Sequence, residues 1–107
     1  MINIVNLTPH PITFMLKDKM DITIPPSGTV ARLTARTRLI EYIQNIPVTK
    51  TEFIDIEGLP EKTKDTIYIV SSLVAQACRD RDDIYIPNES VRNDLGQIIG
   101  CRSLGKI

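Results

Sequence analysis

The stretch "TIYIVSSLVAQACRDRDDIYIP", residues 66–87, decides the fold. "TIYIV" is apolar at consecutive positions, which is the pattern of a strand covered on both faces. Two serines follow, and then Leu73, Val74, Ala77 and Cys78 recur at the spacing of one helical face, with Ser72, Gln76 and Arg79 opposite. The spacing predicts a helix over 71–79 with Cys78 turned inward. Such a helix rises roughly 13 Å, close to the roughly 16 Å of a five-residue strand, so it can run back along the strand it left. The connection from 71 to 83 meets the dozen residues that a parallel crossover requires, and "IYIP" is expected to lie parallel to "TIYIV" in a right-handed βαβ unit. "DRDD" becomes the solvated loop at the far end. Arg79 and Arg81 follow a helix C-terminus, which favours cations.

Upstream of this unit the dominant period is two. Ile2 and Ile4, then Ile12, Phe14 and Leu16, then Ile22 and Ile24 mark three short strands. "LKDKMD" is expected to join the second to the third, and "IPPSGT" to close the third onto a fourth, "TVARL", through Pro and Gly28. "RTRLIEYIQN" and "IPVTKTEFIDIEG" read as longer extended runs, rich in Thr, Tyr and Ile. "PEKTKD" reads as a polar, mobile connector. Downstream, "RNDLGQIIGCRSL" predicts a turn at Asn93–Gly96 and a closing strand from Gln97 to Arg102. The expected architecture is one α+β domain over 1–107. It is a mostly antiparallel β-sheet with one short helix in a C-terminal βαβ-like unit.

Composition narrows the function classes. The chain has 107 residues, 13 Lys plus Arg and 13 Asp plus Glu, so no global field gathers nucleic acid or anionic lipid. One histidine and two separated cysteines, Cys78 and Cys101, do not make a zinc tetrad of the usual ligands. Reduced thiols are expected. "DRDD" lacks the glycine and distal glutamate of an EF-hand loop. "IVSS" carries neither dinucleotide nor P-loop glycines, so no cofactor is implied. "MINIVNLTPH" has no basic start, and no stretch is long and apolar enough to span a bilayer, so an intracellular, non-membrane protein is expected. Arg32, Arg36 and Arg38 share parity on an unbroken strand and form a basic stripe.

Two places can hold a ligand. Ser71 and Ser72 open a helix at the carboxyl ends of parallel strands, the edge where α/β sheets bind ligands, and Asn88 follows the second parallel strand. The competing account is an ordinary N-cap, which needs no ligand. In "NLTPHPI", Thr8 and His10 sit on a turn that two prolines stiffen, which lowers the entropy cost of binding. Here too a plain strand connection is the alternative. His10 has the pKa range of a general base, but it lacks a nucleophile, because Cys101 lies between apolar neighbours in a closing strand.

"NLTPHPI", "IPPSGTVAR", "GLPE", "TIYIVSSLVAQA" and "DLGQIIGCRSL", in this order, resemble a family of small phage- and prophage-encoded proteins marked by an N-terminal NLTPH motif. The resemblance spans nearly the whole chain. It implies work in the cytoplasm of a bacterial host and supplies no catalytic residues. The expected function is a phage accessory protein that binds a nucleotide or sugar-phosphate ligand without turnover and sequesters an immune signal. Phosphate would sit at Ser71 and Ser72, with His10 and Arg102 on ribose or a second phosphate. The alternative is an interaction module, a host-factor inhibitor or virion component, acting through a sheet edge. Either accommodates a homodimer or higher homo-oligomer.

Overall fold

The computed structural model describes residues 1–107. Strands β1 (Asn3–Asn6), β2 (Ile12–Phe14), β3 (Ile22–Ile24), β4 (Arg32–Ile43), β5 (Ile46–Glu57) and β6 (Thr66–Ile69) precede the single helix α1 (Ser72–Ala77). Strands β7 (Ile84–Arg92) and β8 (Ile98–Gly105) follow it. The chain is therefore α+β, mostly strand with one short helix.

Six strands form one sheet in the order β1-β6-β7-β8-β2-β3, and β4 and β5 form a separate two-stranded sheet. β6 and β7 pair in parallel through Tyr68–Ile84 and Ile69–Tyr85, with α1 between them in the chain. The six-stranded sheet is mixed, so the mostly antiparallel expectation holds only in part: β2–β3, β4–β5 and β7–β8 are antiparallel, but β1 also pairs β6 in parallel, and β2 meets β8 in parallel at Phe14–Cys101. Chain-distant strands thus complete the sheet at both ends, and hydrophobic period carries no information about such partners.

The expected closure of β3 onto β4 does not occur. β3 pairs only with β2, whereas β4 pairs with β5. Pro25 and Pro26 bring no N–H donors to a ladder. The following backbone is instead strapped over the end of β1, with the Ser27 N–H on the Asn6 carbonyl at 2.9 Å and the Ala31 N–H on the Leu7 carbonyl at 3.0 Å. The long β4–β5 hairpin then leaves the body and turns at Gln44 and Asn45, both with positive φ (48° and 68°), as a tight hairpin turn demands. At its root Gly58 has φ 79°, and a Cβ there would lie 2.4 Å from the Val30 carbonyl oxygen. Gly58→Ala is expected to cost about 2 kcal/mol or more, combining clash with left-handed strain, and to lower the urea midpoint at unchanged slope.

The core divides across the sheet. Leu7, Ala31, Tyr68, Val70, Val74, Ala75, Cys78 and Ile84 pack on the helix side, and Ile12, Phe14, Ile69 and Cys101 on the other. β6 feeds both, as its doubly apolar sequence predicts. On α1 the buried positions are Val74, Ala75 and, at the C-cap, Cys78; Leu73 and Ala77 face solvent, which rotates the expected stripe. The helix is also shorter than 71–79, because the chain leaves helical geometry at Cys78 (φ −122°, ψ 39°).

"DRDD" is not a solvated loop throughout. Asp83 is buried and takes a two-pronged contact from Arg81, Nε to Oδ1 at 3.0 Å and a terminal guanidinium nitrogen to Oδ2 at 2.6 Å. Arg81 also donates to the Pro60 carbonyl and stands 5.9 Å from the Tyr68 ring centre. The connector after Gly58 is thereby tied to the body, and the helix dipole is not what explains Arg81. β8 runs from Ile98 to Gly105, beyond the expected Gln97–Arg102, pairing with β7 up to Ile86–Gly105.

Candidate functional site

The turn "NLTPHPI" is organised by Asn6, 1% exposed. Its amide donates to the carbonyls of His10 (2.8 Å) and Ile24 (3.1 Å), and its Oδ1 accepts from the Thr8 N–H (2.9 Å) and the Thr8 hydroxyl (2.6 Å). The motif's polar groups satisfy one another, as buried polar groups must. Leu7 is locked by its N–H to the Ile69 carbonyl (2.8 Å). The turn is consequently rigid, and the edge of Thr8 and Pro9 becomes a fixed wall.

That wall bounds a cleft of about 390 Å³ at the end of β6. Its other sides are the strap at Val30 and Ala31, the hairpin root at Arg32, Leu33 and Phe53, and the start of α1 at Ser71, Leu73 and Val74. The lining is mostly apolar, with Thr8, Arg32 and Ser71 as its polar members. Arg32 is exposed and takes part in none of the four ion pairs in the molecule, so its guanidinium is free to meet an anion. Neighbouring Arg36 and Arg38 instead both reach Glu52, at 3.5 and 3.1 Å, on the stripe that their parity predicts.

Of the six residues singled out in the sequence, Thr8 and Ser71 come together in this cleft. Ser71 is the N-cap of α1: its Oγ accepts from the Val74 N–H (3.4 Å) and its carbonyl from the Ala75 N–H (3.0 Å). The cap account therefore covers its bonding, and a six-residue helix brings little dipole to the cleft. Ser72 is exposed on α1 outside the lining. Asn88 does not follow the strand end as expected. β7 continues to Arg92, and Asn88 sits within it opposite Ser103. Arg102 is exposed on β8 and lines no cavity.

His10 belongs to a second cavity, of about 370 Å³, with Thr13, Ser90 and the β8 segment Ile98–Cys101. Cys101 is buried, and burial pushes its thiol pKa up, away from the thiolate that nucleophilic chemistry needs. Cys78 is raised in the same way, and its Sγ lies 2.9 Å from the Val74 carbonyl oxygen. Both cysteines are free thiols. Arg32 and Phe53 are the cleft residues that the sequence reading did not assign to a site. They lie far from Ser71 in the chain, and no local pattern links them.

No protein-family model matches the chain, and neither a curated protein nor a solved structure is found to be similar to it. No helix is long and apolar enough to cross a membrane.

Proposed function

We propose that the protein binds a small anionic ligand of nucleotide or sugar-phosphate type in the cleft at the hairpin root and holds it without turnover. The observation that carries this reading is an unpaired guanidinium, Arg32, at the mouth of an apolar cleft walled by Phe53, Leu33 and Leu73. Guanidinium groups suit phosphate, and an aromatic ring offers a base its stacking partner. Ser71 and Thr8 stand on the polar side, their hydroxyls already engaged within the protein. No nucleophile with an adjacent base lines the cleft, which favours binding over chemistry. In the phage setting that the motif resemblance implies, the ligand is a nucleotide signal of bacterial immunity, removed from its effector by mass action in the host cytoplasm.

Calorimetry against cyclic nucleotides and ADP-ribose derivatives tests the reading. At least one is expected to bind, with Arg32→Ala weakening it by tenfold or more, and Ser72→Ala leaving affinity unchanged. If the folded protein binds none of them, the reading is lost. The projecting β4–β5 hairpin favours a second reading, an interaction module, which a single stoichiometric host protein in a pulldown would support.

A further inference from the structure

Given the anion site proposed above, on which this inference rests, the polar groups of the cleft decide which anion it takes. A hydroxyl has one proton to give and two lone pairs to offer. The Thr8 proton is committed inside the protein, to Asn6 Oδ1 at 2.6 Å, with the His10 carbonyl at 3.1 Å as the other acceptor in reach. What Thr8 has left is lone pairs. Ser71 is the reverse: its Oγ accepts from the Val74 N–H, and its own proton goes to no protein acceptor. Ser71 can donate to a ligand, whereas Thr8 can only accept from one.

The charge count is equally narrow. Arg32 is the one charged residue in the lining, and the residue opposite it on β5 is Glu57. The two make no ion pair, yet cross-strand partners share a face, so the carboxylate tempers the positive field at the guanidinium. Arg36 and Arg38, farther along β4, are held by Glu52. One guanidinium and one hydroxyl proton therefore stand ready for an anion. They match a single phosphate bearing one negative charge. A second charge would meet the Thr8 lone pairs, the Glu57 carboxylate or the apolar wall, where an uncompensated ion is costly.

We infer that the ligand is a nucleoside cyclic monophosphate, a phosphodiester with one charge, and that the cleft discriminates against open monophosphates, diphosphates and ADP-ribose. An open phosphomonoester carries nearly two negative charges at neutral pH, and a diphosphate more. The cleft's volume of about 390 Å³ lies near the lower end of the roughly 300–1,000 Å³ of small-molecule sites, which suits one nucleoside rather than two. Phe53 and Leu73, 58% and 56% exposed, stand as apolar walls from the hairpin root and α1, and a base stacks between them. Arg32 and Ser71 donate to the phosphate. Thr8 accepts from an amino or hydroxyl group of the nucleoside.

Calorimetry at fixed ionic strength tests this with the cyclic monophosphates of adenosine and guanosine, the open monophosphates and diphosphates of the same nucleosides, and ADP-ribose. The base is then constant while the charge varies. At least one cyclic form is expected to bind roughly tenfold or more tightly than its open counterparts, the scale of one charge-assisted hydrogen bond. An open phosphate or ADP-ribose that binds as tightly as the cyclic forms overturns this selectivity and leaves the anion site standing; binding by none removes both. The Ser71 proton is tested separately with two residues that cap helices as well as serine does. Ser71→Asp keeps the cap but replaces the donor with a carboxylate, and is expected to melt like the wild type and to lose roughly tenfold or more in affinity for the cyclic form. Ser71→Asn keeps both cap and a donor, and should bind within a few-fold of the wild type. A folded Ser71→Asp protein with undiminished affinity would overturn the assignment of phosphate to Ser71.

Discussion

Replacing Asp83 with alanine is expected to cost about 3–5 kcal/mol of folding stability, one of the two largest effects of any single side chain considered. The carboxylate is 4% exposed, and its removal strands the partly buried Arg81 guanidinium, which can follow the Pro60 carbonyl but has no other counter-charge in its ion pair. Contact with Arg81 holds the Asp83 carboxyl below the usual carboxylate range, and burial opposes this only in part. The sign follows from that depression. The contribution is complete above the unfolded pKa of about 3.9 and is lost as pH falls through the lower folded value. Urea titrations of the wild type should therefore show stability falling below about pH 4, the unfolded aspartate value. Asp83→Ala should be less stable at neutral pH and lose the Asp83 share of this acid-dependent fall. An unchanged pH profile in the variant would show that the pair does not couple to folding.

Asn6→Ala is the second large effect, about 2–4 kcal/mol. It leaves the His10 and Ile24 carbonyls without the amide donor and the Thr8 N–H without its acceptor. Asn6→Asp is expected to be worse, because an oxygen would replace the amide nitrogen that faces two carbonyl oxygens. Thermal melts of the three proteins should rank wild type, Asn6→Ala, Asn6→Asp in falling order. An Asn6→Asp protein as stable as the wild type would mean that the turn does not depend on this amide.

The two substitutions also show how legible the chain was. "TIYIVSSLVAQA" could be read because strand, cap and helix lie within a few residues of one another, and the periodicity of each is local. Cys78 and Cys101 are buried as expected, although Leu73, Ala77, Ile98 and Ile99, among the apolar neighbours that pointed to it, are themselves exposed. The role of Asn6 was not legible. "NLTPHPI" announced a stiff turn, but nothing in it says that Asn6 points inside while the His10 side chain stays exposed. In "DRDD" the charge density suggested solvent. The usable signal was the closeness of Arg81 to Asp83 in the chain, two residues apart across a bend, within which the long guanidinium side chain reaches the carboxylate. The cleft was half legible: Ser71 and Thr8 were found, but Arg32 and Phe53 reach it only through the hairpin's departure from the body. β4 and β5 were each recognisable as strands, yet no period tells a strand whether it joins a sheet or leaves it.

The strand order has a consequence for how the polypeptide matures. β1 is paired only by β6, and β2 meets β8 near residue 101. During synthesis the β2–β3 and β4–β5 hairpins can close on their own, while the six-stranded sheet waits for segments made last. A nascent chain arrested before residue 98 should thus remain readily cut by protease around Phe14, and acquire resistance only when the final strand has emerged.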